Sequence, residues 1–185
     1  MVPGCEPSGP TIMATTIQDR IFNQATAGTP YNRGVPAVLA SLMVAQAAHE
    51  TGNFTSNFFR NYNNAFGYSY FRGSPYQSGS GTLADNGLPI AIYRSVEDSV
   101  KEVVDWIYRR QKEGKFPADL GTIRTPEQYA KLLKDAGYYG DTLANYTAGL
   151  KRFFVAVIEE LKKPGTQTAG AVFLILIAWL IFRRR

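Results

Sequence analysis

One carboxylic acid lies at a place in the sequence where it could donate a proton. Glu50 follows Gln46 by four residues, Met43 by seven and Leu39 by eleven, so it lies on the apolar stripe of a predicted helix. Burial and the negative end of the helix dipole both favour the protonated form of such a carboxyl group. Cleavage of a glycosidic bond requires an acid of this kind beside the leaving oxygen. The spacing alone is equally consistent with an exposed Glu at a helix end.

Other polar residues that could take part in chemistry have simpler explanations. His49 is adjacent to Glu50, but consecutive helical residues point about 100° apart, so we interpret it as a structural residue or one at the edge of a groove. Glu97 and Asp98 lie in the first turn of a predicted helix, where acidic side chains offset the helix dipole. The chain has one Cys and one His, so we expect no disulfide framework, no Cys- or His-based metal site and no cofactor.

Five helices are predicted to position these residues. Their starts carry capping residues or proline and their ends glycine. The helices are predicted to begin near Thr16, Pro36, Ser95, Thr125 and Asp141, and the first four to end near Gly28, Gly52, Gly114 and Gly137. Between the second and third helices, Asp85-Asn86-Gly87 precedes the alternating Ile90 and Ile92, a pattern typical of a β-hairpin. The expected fold is therefore α+β, mainly helical, with a small β-hairpin insertion.

Length and charge narrow the class of protein. The chain has 185 residues, of which 45% are hydrophobic, enough for one domain with a buried core. The net charge is +5, but three positive charges belong to the terminal Arg183, Arg184 and Arg185, and the remainder is nearly balanced. Without a long basic run elsewhere, a nucleic-acid partner is not expected.

The C-terminal segment has a different composition. From Gly165 to Phe182 no residue is charged, and as a helix this stretch would span roughly 27 Å, close to the hydrocarbon thickness of a bilayer. Trp179 near its end and the arginines beyond it favour a transmembrane helix over a buried core helix. The predicted organisation is a flexible segment over 1–14, a domain over 15–163, a linker over 164–168 and a membrane anchor over 169–185. The N-terminus lacks the pattern of a secretory signal, and the charges leave the topology open.

Four sequence blocks carry a family resemblance. They are QAAHETGNFTSNFF, Asn63-Asn64-Ala65-Phe66-Gly67, IYRSVEDSVKEVVDWI and LLKDAGYYGDTLANYTAGLKRFF, in this order over roughly residues 35 to 155. Together they resemble glycoside hydrolase family 73 and the wall-cutting domain of flagellar rod-associated hydrolases. The resemblance implies a lysozyme-like fold that cleaves the β-1,4 bond between N-acetylglucosamine and N-acetylmuramic acid in the glycan strands of peptidoglycan.

The resemblance also implies roles for individual residues. Glu50 matches the family's acid, and Tyr138 matches its functional tyrosine. The expected substrate-binding residues are Asn63, Asn64, Phe66, Gly67, Tyr139 and Tyr146. A Tyr ring suits a sugar because one face stacks on the pyranose while the hydroxyl bonds to its polar edge. For Tyr146, which shares an apolar stripe with Leu150 and Phe153, packing in the core is the favoured interpretation.

A second carboxylate is harder to assign. Relatives often carry an acidic residue in the β insertion, where this chain offers Asp85, between Phe71 and Arg94. A catalytic Asp85 would assist a water molecule or stabilise the oxocarbenium-like charge. Alternatively, Asp85 is a turn residue and the acetamido group of the substrate acts as the nucleophile.

Two other functions and a cellular setting follow from these features. A lytic transglycosylase would use the same acid with the 6-hydroxyl of the sugar in place of water. A non-catalytic membrane protein would use the groove only to bind the cell wall. The expected anchor suggests a membrane location, either in the virion of a membrane-containing bacteriophage, where the hydrolase would serve entry, or in a bacterial membrane.

Overall fold

The computed structural model describes residues 16–84 and 87–161. Its elements are α1 (Ile17–Ala27), α2 (Ala37–Glu50), α3 (Asn57–Tyr62), β1 (Gln77–Leu83), β2 (Pro89–Tyr93), α4 (Val96–Lys112), a 3₁₀ turn (Leu120–Thr122), α5 (Pro126–Asp135) and α6 (Leu143–Leu161). The described part is thus mainly helical with one two-stranded sheet, and the α+β prediction is confirmed. All elements fall inside the predicted 15–163 domain, whose boundaries lie outside the described residues and stay a prediction.

Capping residues place the helix ends where the sequence predicts them. Thr16 and Asp19 form a complete capping box at the start of α1, and Thr125 and Gln128 form another at the start of α5. The Ser95 side chain accepts a hydrogen bond from the backbone N–H of Asp98 at the start of α4. Local sequence therefore determines these boundaries.

The second helix is the centre of the core. Every residue from Val38 to Ala48 is buried, because α2 packs against α1 on one side and α6 on another. In turn α1 packs on α4 and α5 on α6. An ion pair joins α1 to α4, in which Arg20 Nε and Nη2 donate to the two carboxylate oxygens of Glu97 at 2.7 and 2.8 Å. The helices thus hold the carboxyl end of α2 at a fixed place.

The two strands form the expected hairpin. They are antiparallel, with Gln77 opposite Tyr93 and Leu83 opposite Pro89, and irregular pairing between these ends bends the ribbon. The sheet is attached to α4, since Gln77 Nε2 and the Tyr93 hydroxyl both donate to Oε2 of Glu102, at 2.8 and 2.6 Å. Asp85, expected at the turn, lies outside the described residues.

The predicted membrane anchor requires a correction. Within residues 16–84 and 87–161 no helix is both long and apolar enough to cross a bilayer. The apolar helix α2 has 14 residues, about 21 Å at 1.5 Å per residue, whereas the 19-residue α6 carries charged side chains such as Lys151 and Arg152. The transmembrane helix and the single-pass membrane localisation are therefore not supported, and the virion-membrane setting that depended on them is withdrawn with them. Residues 169–185 lie outside the described residues.

Candidate active site

Glu50 is the last residue of α2, and the chain turns sharply after it. The Thr51 hydroxyl donates to the backbone carbonyl of Ala47 at 2.6 Å and accepts from the backbone N–H of Phe54 at 2.8 Å. Gly52, Asn53 and Phe54 follow with φ values of +56°, +59° and +64°. Three successive left-handed residues are uncommon, and such backbone strain tends to occur at functional sites. The turn formed by residues 51–54 therefore ends α2 immediately after Glu50.

The Glu50 carboxyl group is partly buried and held by one tyrosine. The hydroxyl of Tyr146, on α6, donates to Glu50 Oε1 at 2.6 Å. Burial raises the pKa of Glu50 to about 7, although the hydrogen bond from Tyr146 acts in the opposite direction by favouring the carboxylate. Among the described residues, no second carboxylate contributes to this shift. Glu50 can therefore hold its proton near neutral pH.

The second carboxylate oxygen faces a short loop after α3. A Cβ built on Gly67 would lie 3.7 Å from Glu50 Oε2, and Gly67 itself is exposed with φ +67°. The loop is fixed from the other side, because the Tyr138 hydroxyl donates to the backbone carbonyl of Phe66 at 2.5 Å. Gly67 thus leaves space beside Glu50 Oε2, and Tyr138 holds the loop that contains Gly67 in place.

The two asparagines of this loop bond to the backbone. The buried Asn64 donates to the carbonyls of Tyr68 and Ala91 at 2.8 and 3.1 Å and accepts from the Tyr68 N–H at 3.1 Å. Asn63, which ends α3 with φ +52°, donates to the carbonyls of Tyr93 and Arg94 at 3.1 and 3.4 Å. Both side chains therefore join the loop to β2 and its end.

Two tyrosine rings are stacked beside the acid. The rings of Tyr139 and Tyr146 have centroids 3.7 Å apart and planes that differ by 7°. The ammonium of Lys134 lies 5.1 Å from the Tyr139 ring centroid, and it must be on the opposite face because Tyr146 covers the first. The Tyr139 hydroxyl donates to the Ala130 carbonyl at 3.0 Å. Any contact between Tyr139 and a sugar would therefore be made by the ring edge.

Comparison with known proteins identifies the family. The family model "Glucosaminidase: Mannosyl-glycoprotein endo-beta-N-acetylglucosaminidase" matches residues 34–160. The chain belongs to this family. It is a glycoside hydrolase that acts on peptidoglycan, and the family resemblance of the four sequence blocks is confirmed. A non-catalytic wall-binding protein is thereby set aside.

Similarity to individual proteins is more distant. One chain in the "Structure of a type VI secretion system effector-immunity complex from Pseudomonas protegens" is 20% identical, with 64% of this chain and 77% of that chain covered and a TM-score of 0.48. No curated protein matches the chain.

His49 of the hydrolase packs against α6. Its ring lies edge-on to Tyr146 with centroids 5.0 Å apart. A Cβ on Gly149 would lie only 2.3 Å from the His49 ring, so glycine is required there for α6 to approach α2. Burial lowers the pKa of His49, partly offset by Asp141. These contacts agree with the structural interpretation of this residue.

The structure brings most of the predicted site residues together and adds others. Gly67, Tyr138 and Tyr146 lie near the Glu50 carboxyl group, and Tyr139 is joined to it through its stack on Tyr146, whereas Asp85 lies outside the described residues. Sequence reasoning missed the buried pair formed by the Tyr129 hydroxyl and Gln46 Oε1 at 2.6 Å, and it missed Lys134. Gln46 and Tyr129 are 83 positions apart, so no local pattern could have indicated their contact.

Proposed function

We propose that this chain hydrolyses the β-1,4 bond between N-acetylglucosamine and N-acetylmuramic acid in peptidoglycan, with Glu50 as the general acid. The observation that carries the proposal is the state of its carboxyl group, which is partly buried, has a pKa of about 7 and, within residues 16–84 and 87–161, accepts a side-chain hydrogen bond from Tyr146 on Oε1 alone. A carboxylic acid with a raised pKa is the group that protonates the leaving oxygen of a glycoside.

The positions of Tyr146 and Gly67 around Glu50 indicate which of its two carboxyl oxygens donates the proton. Tyr146 donates its hydroxyl hydrogen to Oε1, and this leaves Oε2, beside the exposed Gly67, to carry the acidic proton. A side chain at position 67 would occupy the space next to that oxygen. The glycosidic oxygen would thus approach Glu50 from the Gly67 side, along the loop that Tyr138 holds in place.

The second half of the reaction has two candidate groups. The candidates are Asp85, the acidic residue that the β insertion offers, and the acetamido group of the substrate. Asp85 would activate water or stabilise the oxocarbenium-like charge, whereas an acetamido nucleophile would form a cyclic intermediate with overall retention of configuration. Replacement Asp85→Asn distinguishes them, because it would abolish turnover in the first case and leave most of it in the second.

The test of the proposal uses the full chain with purified peptidoglycan sacculi and mass spectrometry of the new sugar ends. We expect reducing N-acetylglucosamine ends. Anhydromuramic ends would instead identify a lytic transglycosylase. The variant Glu50→Gln keeps the shape of the side chain but cannot give up a proton, so we expect at least about a hundredfold loss of turnover with binding to sacculi retained.

A matched control separates this loss from a general effect of removing a carboxylate. Glu113 follows α4 and its carboxylate pairs with Arg110, so Glu113→Gln removes the same charge without touching the Glu50 site. We expect it to retain wild-type activity. Unchanged clearing of sacculi by Glu50→Gln would refute the proposed role of this residue.

A further inference from the structure

Lys134 binds the connection between α5 and α6 at several points. Its ammonium donates to the backbone carbonyls of Tyr139, Gly140 and Asp141 at 3.5, 3.1 and 2.6 Å, and it also lies over the face of the Tyr139 ring. Three bonds to successive carbonyls restrict the backbone of this segment, and the cation on the ring face restricts the side chain. Lys134 thus restricts the path of the segment and, together with the hydrogen bond from the Tyr139 hydroxyl to the Ala130 carbonyl, the orientation of Tyr139.

The contacts continue from Lys134 to the acid. Tyr139 stacks in parallel on Tyr146, and the hydroxyl of Tyr146 bonds to Glu50. We propose that Lys134 is a positioning residue of the reaction, which holds Tyr139 against Tyr146 and so keeps the Tyr146 hydroxyl on Glu50. This inference rests on the proposed role of Glu50 as the acid.

The stacked ring of Tyr139 restricts the orientation of the Tyr146 ring. The edge-on ring of His49 limits Tyr146 from another direction, and His49 is itself held against Gly149. Tyr139 covers a ring face of Tyr146. If Tyr139 moved away, the Tyr146 ring could tilt into the freed space, and a hydrogen bond of 2.6 Å tolerates little tilt before it weakens.

The hydrogen bond has a measurable effect on the acid. It favours the carboxylate and so lowers the pKa of Glu50 relative to the effect of burial alone. The other titratable groups near Glu50 are phenols and one imidazole. They are His49 on α2, Tyr129 on α5 and Tyr138 in the α5–α6 connection. Burial raises the pKa of both phenols, so they stay neutral near pH 7. Burial lowers the pKa of His49, with Asp141 acting in the opposite direction, so His49 titrates on the acidic side of Glu50 and the alkaline limb reports Glu50.

The test compares variants of the full chain by the pH dependence of turnover on sacculi. Lys134→Met keeps most of the aliphatic chain but removes the charge and the donors. We expect the alkaline limb to move to higher pH by about half to one pH unit, which corresponds to roughly three- to tenfold in the proton affinity of Glu50. Lys134→Arg, which retains a cation and donors, should restore the limb toward its wild-type position.

Two further variants show whether the effect passes through the tyrosines. Tyr139→Leu removes the stacked ring while Lys134 stays, and we expect the same direction of shift. Tyr146→Phe removes the hydroxyl, so the double variant with Lys134→Met should show no additional shift beyond that of Tyr146→Phe. Lys131, on the same helix and paired with Asp135 at the surface, supplies the control Lys131→Met, with a wild-type profile expected.

Several outcomes would overturn the inference. A Lys134→Met variant that loses activity or thermal stability with an unshifted alkaline limb would show a merely structural role. Additive shifts in the double variant would show that Lys134 acts by another route. If Lys134→Met does not fold, the Tyr139→Leu variant serves as the test. An alkaline limb of its pH–rate profile at the wild-type position would also refute the inference. Failure of the proposed acid is recognised separately, because Glu50→Gln would then remain active.

Discussion

The hydroxyl of Tyr146 donates a 2.6 Å hydrogen bond to the carboxyl group of Glu50, across 96 positions of sequence. The bond joins the end of α2 to the first turns of α6, the helix that packs against it. Tyr146 is also 3% exposed, so the favoured interpretation of this residue as part of the core is confirmed. The Tyr146 side chain therefore both packs in the core and bonds to the proposed acid, Glu50.

Replacement of Tyr146 by Phe should change the pH dependence of the reaction. Without the hydroxyl, the carboxylate loses a hydrogen bond worth about 1.5–3 kcal/mol, so the pKa of Glu50 rises further above about 7. The acid then stays protonated to higher pH, and we expect the alkaline limb of the pH–rate profile to move upward by about one pH unit or more. Turnover at the optimum should fall roughly tenfold, because the acid is less well oriented. An unchanged limb would contradict the assignment of this limb to Glu50.

Stability should depend on the ionisation of Glu50. The folded-state pKa of about 7 exceeds the ordinary value of 4.5, so between these values the folded protein binds more protons than the unfolded chain. The free energy of unfolding should therefore fall as pH rises from about 4.5 to about 7. Glu50→Gln lacks this dependence. The free energy of unfolding of the variant, compared with that of the wild type, should therefore increase by up to about 3 kcal/mol as pH rises from about 4.5 to above 7. Urea unfolding of both proteins at pH 5 and pH 8 measures the difference, and parallel curves would refute the prediction.

Gly67→Ala should separate backbone strain from obstruction of the acid. The new Cβ would stand 3.7 Å from Glu50 Oε2, in a residue with φ +67°. Gly114 provides the control, since it has φ +74° and no atom within 4 Å of a built Cβ. Both Ala variants should lose about 1–2 kcal/mol from left-handed strain. We expect only Gly67→Ala to lose most of its turnover, and equal activity of the two would argue against substrate approach from the Gly67 side.

Asn64→Ala should act mainly on stability. The side chain is 1% exposed and makes three hydrogen bonds to the backbone of Tyr68 and Ala91. Its removal leaves the Tyr68 N–H without its partner, at about 1–3 kcal/mol, whereas the Tyr68 carbonyl still accepts from the Ala91 N–H at 3.0 Å. We expect a lower midpoint of thermal unfolding, with KM little changed at temperatures where the variant remains folded. A large increase in KM without loss of stability would instead favour direct binding of the substrate by Asn64.

Helix positions in this chain could be predicted because their signals are local. The caps at Thr16, Ser95 and Thr125 and the glycines that follow the helices lie within a few residues of the boundaries they define. The short helix α3, with Ser56 as its N-cap, was missed because six residues are too few to show a helical period. The transmembrane prediction rested on composition alone and is not supported among the described residues.

Motif order, caps and periodicity are properties of neighbouring residues, so the family, the helical framework and the position of Glu50 on the apolar stripe of α2 could be predicted from the sequence. The side chains around that acid could be identified only in the folded molecule. The bond from Tyr146, the Gly67 backbone beside Oε2 and the hold of Lys134 on the stacked tyrosines depend on distances through space between separate elements. The raised pKa of Glu50 has the same origin, because burial of a carboxyl group is produced by packed helices and not by its sequence neighbours.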